Sequence, residues 1–117
     1  MEKKMNETVQ LICKALSEKS AIDIKVIEIK GMSDIADYFV VCSGRSAPQV
    51  KALDEHLEET MENIGKVAEH KEGVREGKWI ALDYGDAIVH IFHKDIRDVY
   101  ALDKLWDNGG NVTTYVD

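Results

Sequence analysis

Two apolar runs split by a two-residue turn constrain this chain more than any other feature. Trp79-Ile80-Ala81-Leu82-Asp83-Tyr84 and Ala87-Ile88-Val89-His90-Ile91-Phe92 are separated only by Gly85-Asp86. Both runs are rich in β-branched and aromatic residues, which fit a pleated surface. A connection this short forces two strands to be antiparallel neighbours, so the centre of the fold contains a β-hairpin.

The flanking sequence supplies partners for that hairpin. Val9, Ile12, Cys13 and Leu16 recur at helical spacing and predict a helix over about Asn6 to Glu18. Ile22, Ile24 and Val26 alternate with Asp23 and Lys25 as in a half-buried strand, and Ile27 and Ile29 then appear on the other parity. A bulge, or a second half buried on both faces, accounts for that change. Ser33 to Asp37 reads as a turn, and Tyr38-Phe39-Val40-Val41-Cys42 as a central strand covered on both sides. Ser46-Ala47-Pro48-Gln49 is a capping box that opens a helix through Val50, Leu53, Leu57, Met61 and Ile64, with Gly65 as its stop. Lys66 to His70 carries a weaker strand pattern. Asp95 is a plausible N-cap for a short helix containing Arg97, Val99, Tyr100 and Leu102. The implied fold class is α/β (α+β), a mixed sheet of about five strands flanked by helices.

The chain has 117 residues and its only proline is Pro48. No linker, repeat or low-complexity tract interrupts it, so residues 1–117 are expected to form a single domain, with 107–117 as an extended and partly mobile tail. Cys13 and Cys42 sit among apolar residues and read as buried, reduced thiols. No apolar run approaches the ~20 residues of a membrane span, and the start, Met1-Glu2-Lys3-Lys4-Met5, lacks the apolar stretch of a signal peptide. A cytoplasmic protein is expected. The formal net charge of −7 repels a phosphate backbone and favours a basic protein partner over naked nucleic acid.

Catalytic readings find little support. Ser43-Gly44-Arg45-Ser46 precedes a helix but lacks the spacing and lysine of a phosphate loop. His90 and His93 fall on opposite parities of a strand and do not converge as metal ligands. Asp83 and Asp86 could hold a divalent cation, yet turn geometry alone explains an Asp at each place. No cofactor and no metal is expected. Alternation puts Trp79, Ala81 and Asp83 on one face and Ile80, Leu82 and Tyr84 on the other. Trp79 is then either an outward anchor beside an acid or a residue packed under a helix; periodicity leaves both open.

Gly77 to Phe92 resembles the signature strand pair of the ribosomal silencing factors, the iojap family. The likeness continues through Arg97-Asp98-Val99-Tyr100-Ala101-Leu102-Asp103-Lys104-Leu105-Trp106, and upstream through Asp34 to Gly44 and the Ser46/Gln49 helix start. It spans essentially Met5 to Trp106. The resemblance implies a fold related to nucleotidyltransferases and a non-enzymatic role. The expected role is binding the large ribosomal subunit through the ribosomal protein universally numbered fourteen, which sterically blocks the small subunit and represses translation. It also implies a homodimer. Trp79, Ile80 and Asp83 match the family's partner-contacting segment, with Tyr84, Gly85 and Asp86 beside them; Ala81 stands where a larger aliphatic is common. The competing expectation is a metal-dependent nucleotidyltransferase or hydrolase using Asp83, Asp86 and His90. The chain lacks the Gly-Ser turn and spaced Asp-x-Asp of active nucleotidyltransferases.

Overall fold

The structure, a computed structural model, describes residues 6–116; the charged start Met1 to Met5 and the final Asp117 lie outside the described residues. Helix α1 (Glu7–Glu18) begins where the Asn6 side chain accepts hydrogen bonds from the backbone of Thr8 at 2.8 Å and Val9 at 3.3 Å. Its buried stripe is the one expected from periodicity: Val9, Ile12, Cys13 and Leu16, joined by Ala15.

Strand β1 (Ile22–Glu28) pairs antiparallel with β2 (Tyr38–Gly44), and the register shifts between Ile22 and Lys25, where Asp23 takes a φ of 48°. Of the two sequence explanations, burial on both faces accounts for the change of parity at Ile27, since pairing is regular from Lys25 to Glu28. The irregularity sits at Asp23, while the run from Val26 is buried on both faces: Val26 joins one apolar cluster and Ile27 and Ile29 the other. β2 alternates in the same way, with Val40 and Cys42 on one side and Phe39 and Val41 on the other.

Helix α2 (Ala47–Glu62) starts at Ser46, whose hydroxyl accepts from the Gln49 N–H at 3.2 Å. The Gln49 side chain reaches one residue further back than a standard capping box: its oxygen accepts from the Arg45 N–H at 2.6 Å, and its amide donates to the carbonyl of Ser20 at 3.1 Å. Val50, Leu53, Leu57 and Met61 are fully buried. Ile64, expected to complete that stripe, lies beyond the helix and is half exposed, because the chain turns away through Gly65 at φ 79°.

The second half holds β3 (His70–Glu72), β4 (Trp79–Asp83), β5 (Ala87–His93), α3 (Lys94–Tyr100), α4 (Leu102–Leu105) and β6 (Val112–Thr114). Among the described residues the sheet order is β3-β4-β5-β2-β1-β6, six strands where about five were expected. β2 and β5 run parallel; the other described neighbours are antiparallel. α1 and α2 cover one face of the sheet over the larger apolar cluster, and residues of α3 and α4 pack on the smaller cluster across it. The mixed sheet flanked by helices is thus as the sequence implied.

Three boundaries differ from expectation. The edge strand begins at His70 instead of Lys66, since Val67 is 71% exposed and has no buried face to alternate against. His93, not Asp95, caps α3: its Nδ1 accepts from the Asp95 N–H at 3.2 Å. The segment after Trp106 contains β6, which pairs with Lys25, Val26 and Ile27 of β1.

Candidate partner interface

The β4–β5 hairpin closes over Tyr84, Gly85 and Asp86. The Tyr84 N–H donates to the Ala87 carbonyl at 2.9 Å, and the Asp83 carboxylate accepts from the Gly85 N–H at 2.8 Å. This is an Asx turn, with Gly85 supplying the positive φ of 86°. The Asp86 carbonyl accepts from the N–H groups of Asp37 and Tyr38 at 2.9 and 3.0 Å, which fastens the turn to the start of β2. Asp83 therefore has a structural duty, while Asp86 and Gly85 are exposed. Among the described residues no cation stands within ion-pair distance of either carboxylate.

Alternation along β4 is as expected. Ile80 and Leu82 are fully buried in the cluster beneath α1 and α2, and Trp79, Ala81 and Asp83 are partly exposed on the opposite face. Ile80 is 0% exposed, so its side chain does not itself reach a partner in this conformation. It supports the strand from behind. Tyr84 packs partly against the same cluster, and its hydroxyl is buried with no hydrogen-bond partner among the described residues. Burial, with the nearby Glu58, Asp54 and Glu62 charges, pushes its phenol above the ordinary tyrosine range.

Trp79 combines the two readings left open by the sequence. Its indole N–H donates to His90 Nδ1 at 3.1 Å, and its ring lies 4.9 Å from Phe92 and 4.5 Å from Tyr100. It is packed beside α3, yet one side remains open. Trp79, Tyr100 and Ile96 line a cleft of about 210 Å³ with Gly73, Glu76 and Lys78 at its margin. Gly73 passes so close to the Trp79 carbonyl oxygen that a Cβ there would collide with it. Tyr100, half exposed, and Gly73 were not singled out as site residues from sequence. The only signals were a glycine in a polar connection and a tyrosine in a short helix.

His90 is 8% exposed and takes no part in a polar centre with Asp83 and Asp86. Its Nδ1 lone pair is engaged by Trp79, its Nε2 is buried, and Phe39 packs edge-on at 4.9 Å. Burial lowers its pKa to about 4, which keeps the ring neutral. Across the sheet it faces Ala81, whereas Asp83 pairs with Ile88. Among the described residues, no three His, Cys, Asp or Glu side chains cluster as a metal site would require. Cys13 and Cys42 are buried and free, their thiols pushed up to about 12 by burial, so neither is a poised nucleophile. Among the described residues no helix is long and apolar enough to cross a membrane.

Known proteins agree with this architecture. The family described as ribosomal silencing factor during starvation matches residues 2–116. A ribosomal silencing factor of Halalkalibacterium halodurans is 38% identical over 106 residues, covering 91% of each chain. The mouse mitochondrial assembly of ribosomal large subunit protein 1 is 27% identical over 101 residues, covering 84% of this chain and 44% of the mouse protein. A crystal structure of a protein from Chromobacterium violaceum superposes with a TM-score of 0.85 at 27% identity, covering 98% of this chain and 95% of that one. The hairpin, the sheet around it and these likenesses together establish that the chain belongs to the family of ribosomal silencing factors.

Proposed function

We propose that this protein docks on the large ribosomal subunit through the ribosomal protein universally numbered fourteen, and that the bound protein sterically blocks the small subunit. The observation that carries this reading is the half-open aromatic pair Trp79–Tyr100 on the face that also bears Asp83, with the exposed Gly85-Asp86 turn at the other end of the hairpin. A packed aromatic anchor with one open side is the composition of an interface hot spot. Asp86, unpaired within the described residues, adds charge complementarity to a basic partner, as does the net charge of −7. Trp79, Asp83, Tyr84, Gly85 and Asp86 form the contact region in this reading, with Ile80 as its buried support. The action is stoichiometric and needs no cofactor. A cytoplasmic location and a homodimer accompany it.

A second reading, participation in assembly of the large subunit, is favoured by the name of the mouse relative. It uses the same docking site. The metal-dependent alternative is disfavoured because His90 is turned into the aromatic cluster.

Sedimentation tests the proposal. Wild type is expected to travel with isolated large subunits and to suppress joining when small subunits are added. Trp79→Ala is expected to weaken binding about 30-fold, the effect of a hot spot of about 2 kcal/mol. Wild-type protein that stays at the top of the gradient would overturn the reading; binding without suppression of joining would leave assembly as the role.

A further inference from the structure

Helices α3 and α4 are seven and four residues long and meet at Ala101, whose left-handed backbone (φ 47°, ψ 44°) breaks them apart. Helices this short do not persist unaided. Their outer surface carries Val99 and Leu105, 73% and 72% exposed, so their apolar grip on the sheet rests on partly buried Ile96, Leu102 and Trp106 and on the half-exposed Tyr100 ring. Yet this segment carries Tyr100, the ring that completes the Trp79 pair.

Arg97 supplies the missing attachment. It is 6% exposed, unusual for a charged residue on so short a helix. One guanidinium nitrogen donates to the Ile22 carbonyl at 3.3 Å and to the Ser43 hydroxyl at 3.1 Å. The other lies 3.4 Å from the Asp23 carboxylate and 3.7 Å from that of Asp103. Lys25 stands 3.8 and 3.4 Å from the same two carboxylates, so two cations and two anions alternate and balance. Through one side chain, α3 is tied to the irregular start of β1, the end of β2 and the first turn of α4. The planar fork of arginine makes these contacts at once; a single ammonium does not.

We propose that Arg97 is a positioning residue for partner recognition: it holds α3 and α4 on the sheet so that Tyr100 stays against Trp79. This rests on the docking reading above. When the clamp is lost, the competent arrangement becomes one of several, and apparent affinity falls by the fraction that remains competent.

The test combines amide hydrogen exchange on the free protein with large-subunit binding, for wild type and Arg97→Met. Exchange is expected to accelerate in Ile96 to Trp106 while β2 amides keep wild-type protection. Affinity for large subunits is expected to fall about tenfold with the competent fraction. Unchanged exchange in α3 and α4, or loss of protection throughout the molecule together, would overturn the proposal, the latter by making Arg97 simply structural. Binding within about twofold of wild type despite a released segment would also overturn it, since position would then not matter. Should Arg97→Met fail to fold, Asp103→Asn, which leaves Arg97 beside Asp23, carries the same test with an expected loss of about threefold. If wild type itself does not bind large subunits, the docking reading falls, and with it the recognition role; the exchange measurement still reports whether Arg97 clamps the segment.

Discussion

Asp83 combines two properties that substitution can separate. Its carboxylate closes the hairpin turn through the Gly85 N–H, and it brings charge to the exposed face. Asp83→Asn keeps an acceptor for the turn and removes the charge, so stability is expected to change little while association slows and loses part of its salt dependence. Asp83→Ala is expected to cost about 1 kcal/mol of stability as well. Urea denaturation alongside stopped-flow association distinguishes the two. Tyr84→Phe removes a buried hydroxyl that has no partner among the described residues and is expected to leave stability within about 0.5 kcal/mol of wild type or raise it. At this scale the sequence was informative where alternation applied. Parity alone placed Trp79, Ala81 and Asp83 together and put Ile80 in the core. Family likeness had grouped Ile80 with the contact residues, because matching a motif does not say which way a side chain points. The Trp79–Tyr100 pair was not legible, since it joins residues from separate elements and no local period reports such a contact.

Among the elements, α2 and β5 each carry a buried titratable group, and the two act oppositely. Burial, hydrogen bonding to Glu58 and the Glu58 charge push Asp54 up to about 7 from 3.8. Burial also pulls Glu58 upward, but hydrogen bonds with Asp54 and Lys71 outweigh it and its carboxyl is lowered. Lys71 reaches Glu58 at 2.8 Å, joining α2 to the edge strand β3. For Asp54 the folded pKa exceeds the unfolded one, so its stabilisation is complete below about 3.8 and lost as pH rises through about 7. For His90, lowered from 6.5 to about 4, stabilisation is present above 6.5 and lost as pH falls through about 4. Over that shared window the slopes offset. Asp54→Asn removes one of them, so its stability relative to wild type is expected to fall between pH 7 and pH 4. Urea titrations at several pH values check this; a constant difference would contradict it. The long periodic elements were legible in the sequence: α1, α2, β2 and the hairpin. Of the three-residue edges, β3 was legible only as a weak pattern placed too early and β6 was not, because a strand that short and exposed has no buried alternation to display. Their pairing is dictated by β4 and β1, whose free edges they cover.

For the whole molecule, β6 is an edge guard. Ending the chain after Trp106 would uncover the backbone of β1 at Lys25, Val26 and Ile27 and is expected to lower the melting temperature and promote association. Calorimetry and light scattering on the shortened protein test this; an unchanged melting temperature would show that β6 contributes nothing. The overall class, a mixed sheet between helices, was legible because the hairpin and two amphipathic helices admit few alternatives. Strand order was not, since nothing in the sequence marks β2 and β5 as neighbours.

That parallel seam has a consequence for how the protein comes into being. β1 and β2 pair through a short connection, as do β4 and β5, so each couple is a local event. β2 and β5 meet only after α2 and the hairpin have been synthesised, and their contact closes a long loop. A growing chain therefore carries β2 with one side unpaired until the signature hairpin has left its ribosome. The hairpin that forms the candidate docking face is also the piece that completes the sheet, so that face takes its final place on the molecule only when β5 pairs with β2 and the core closes.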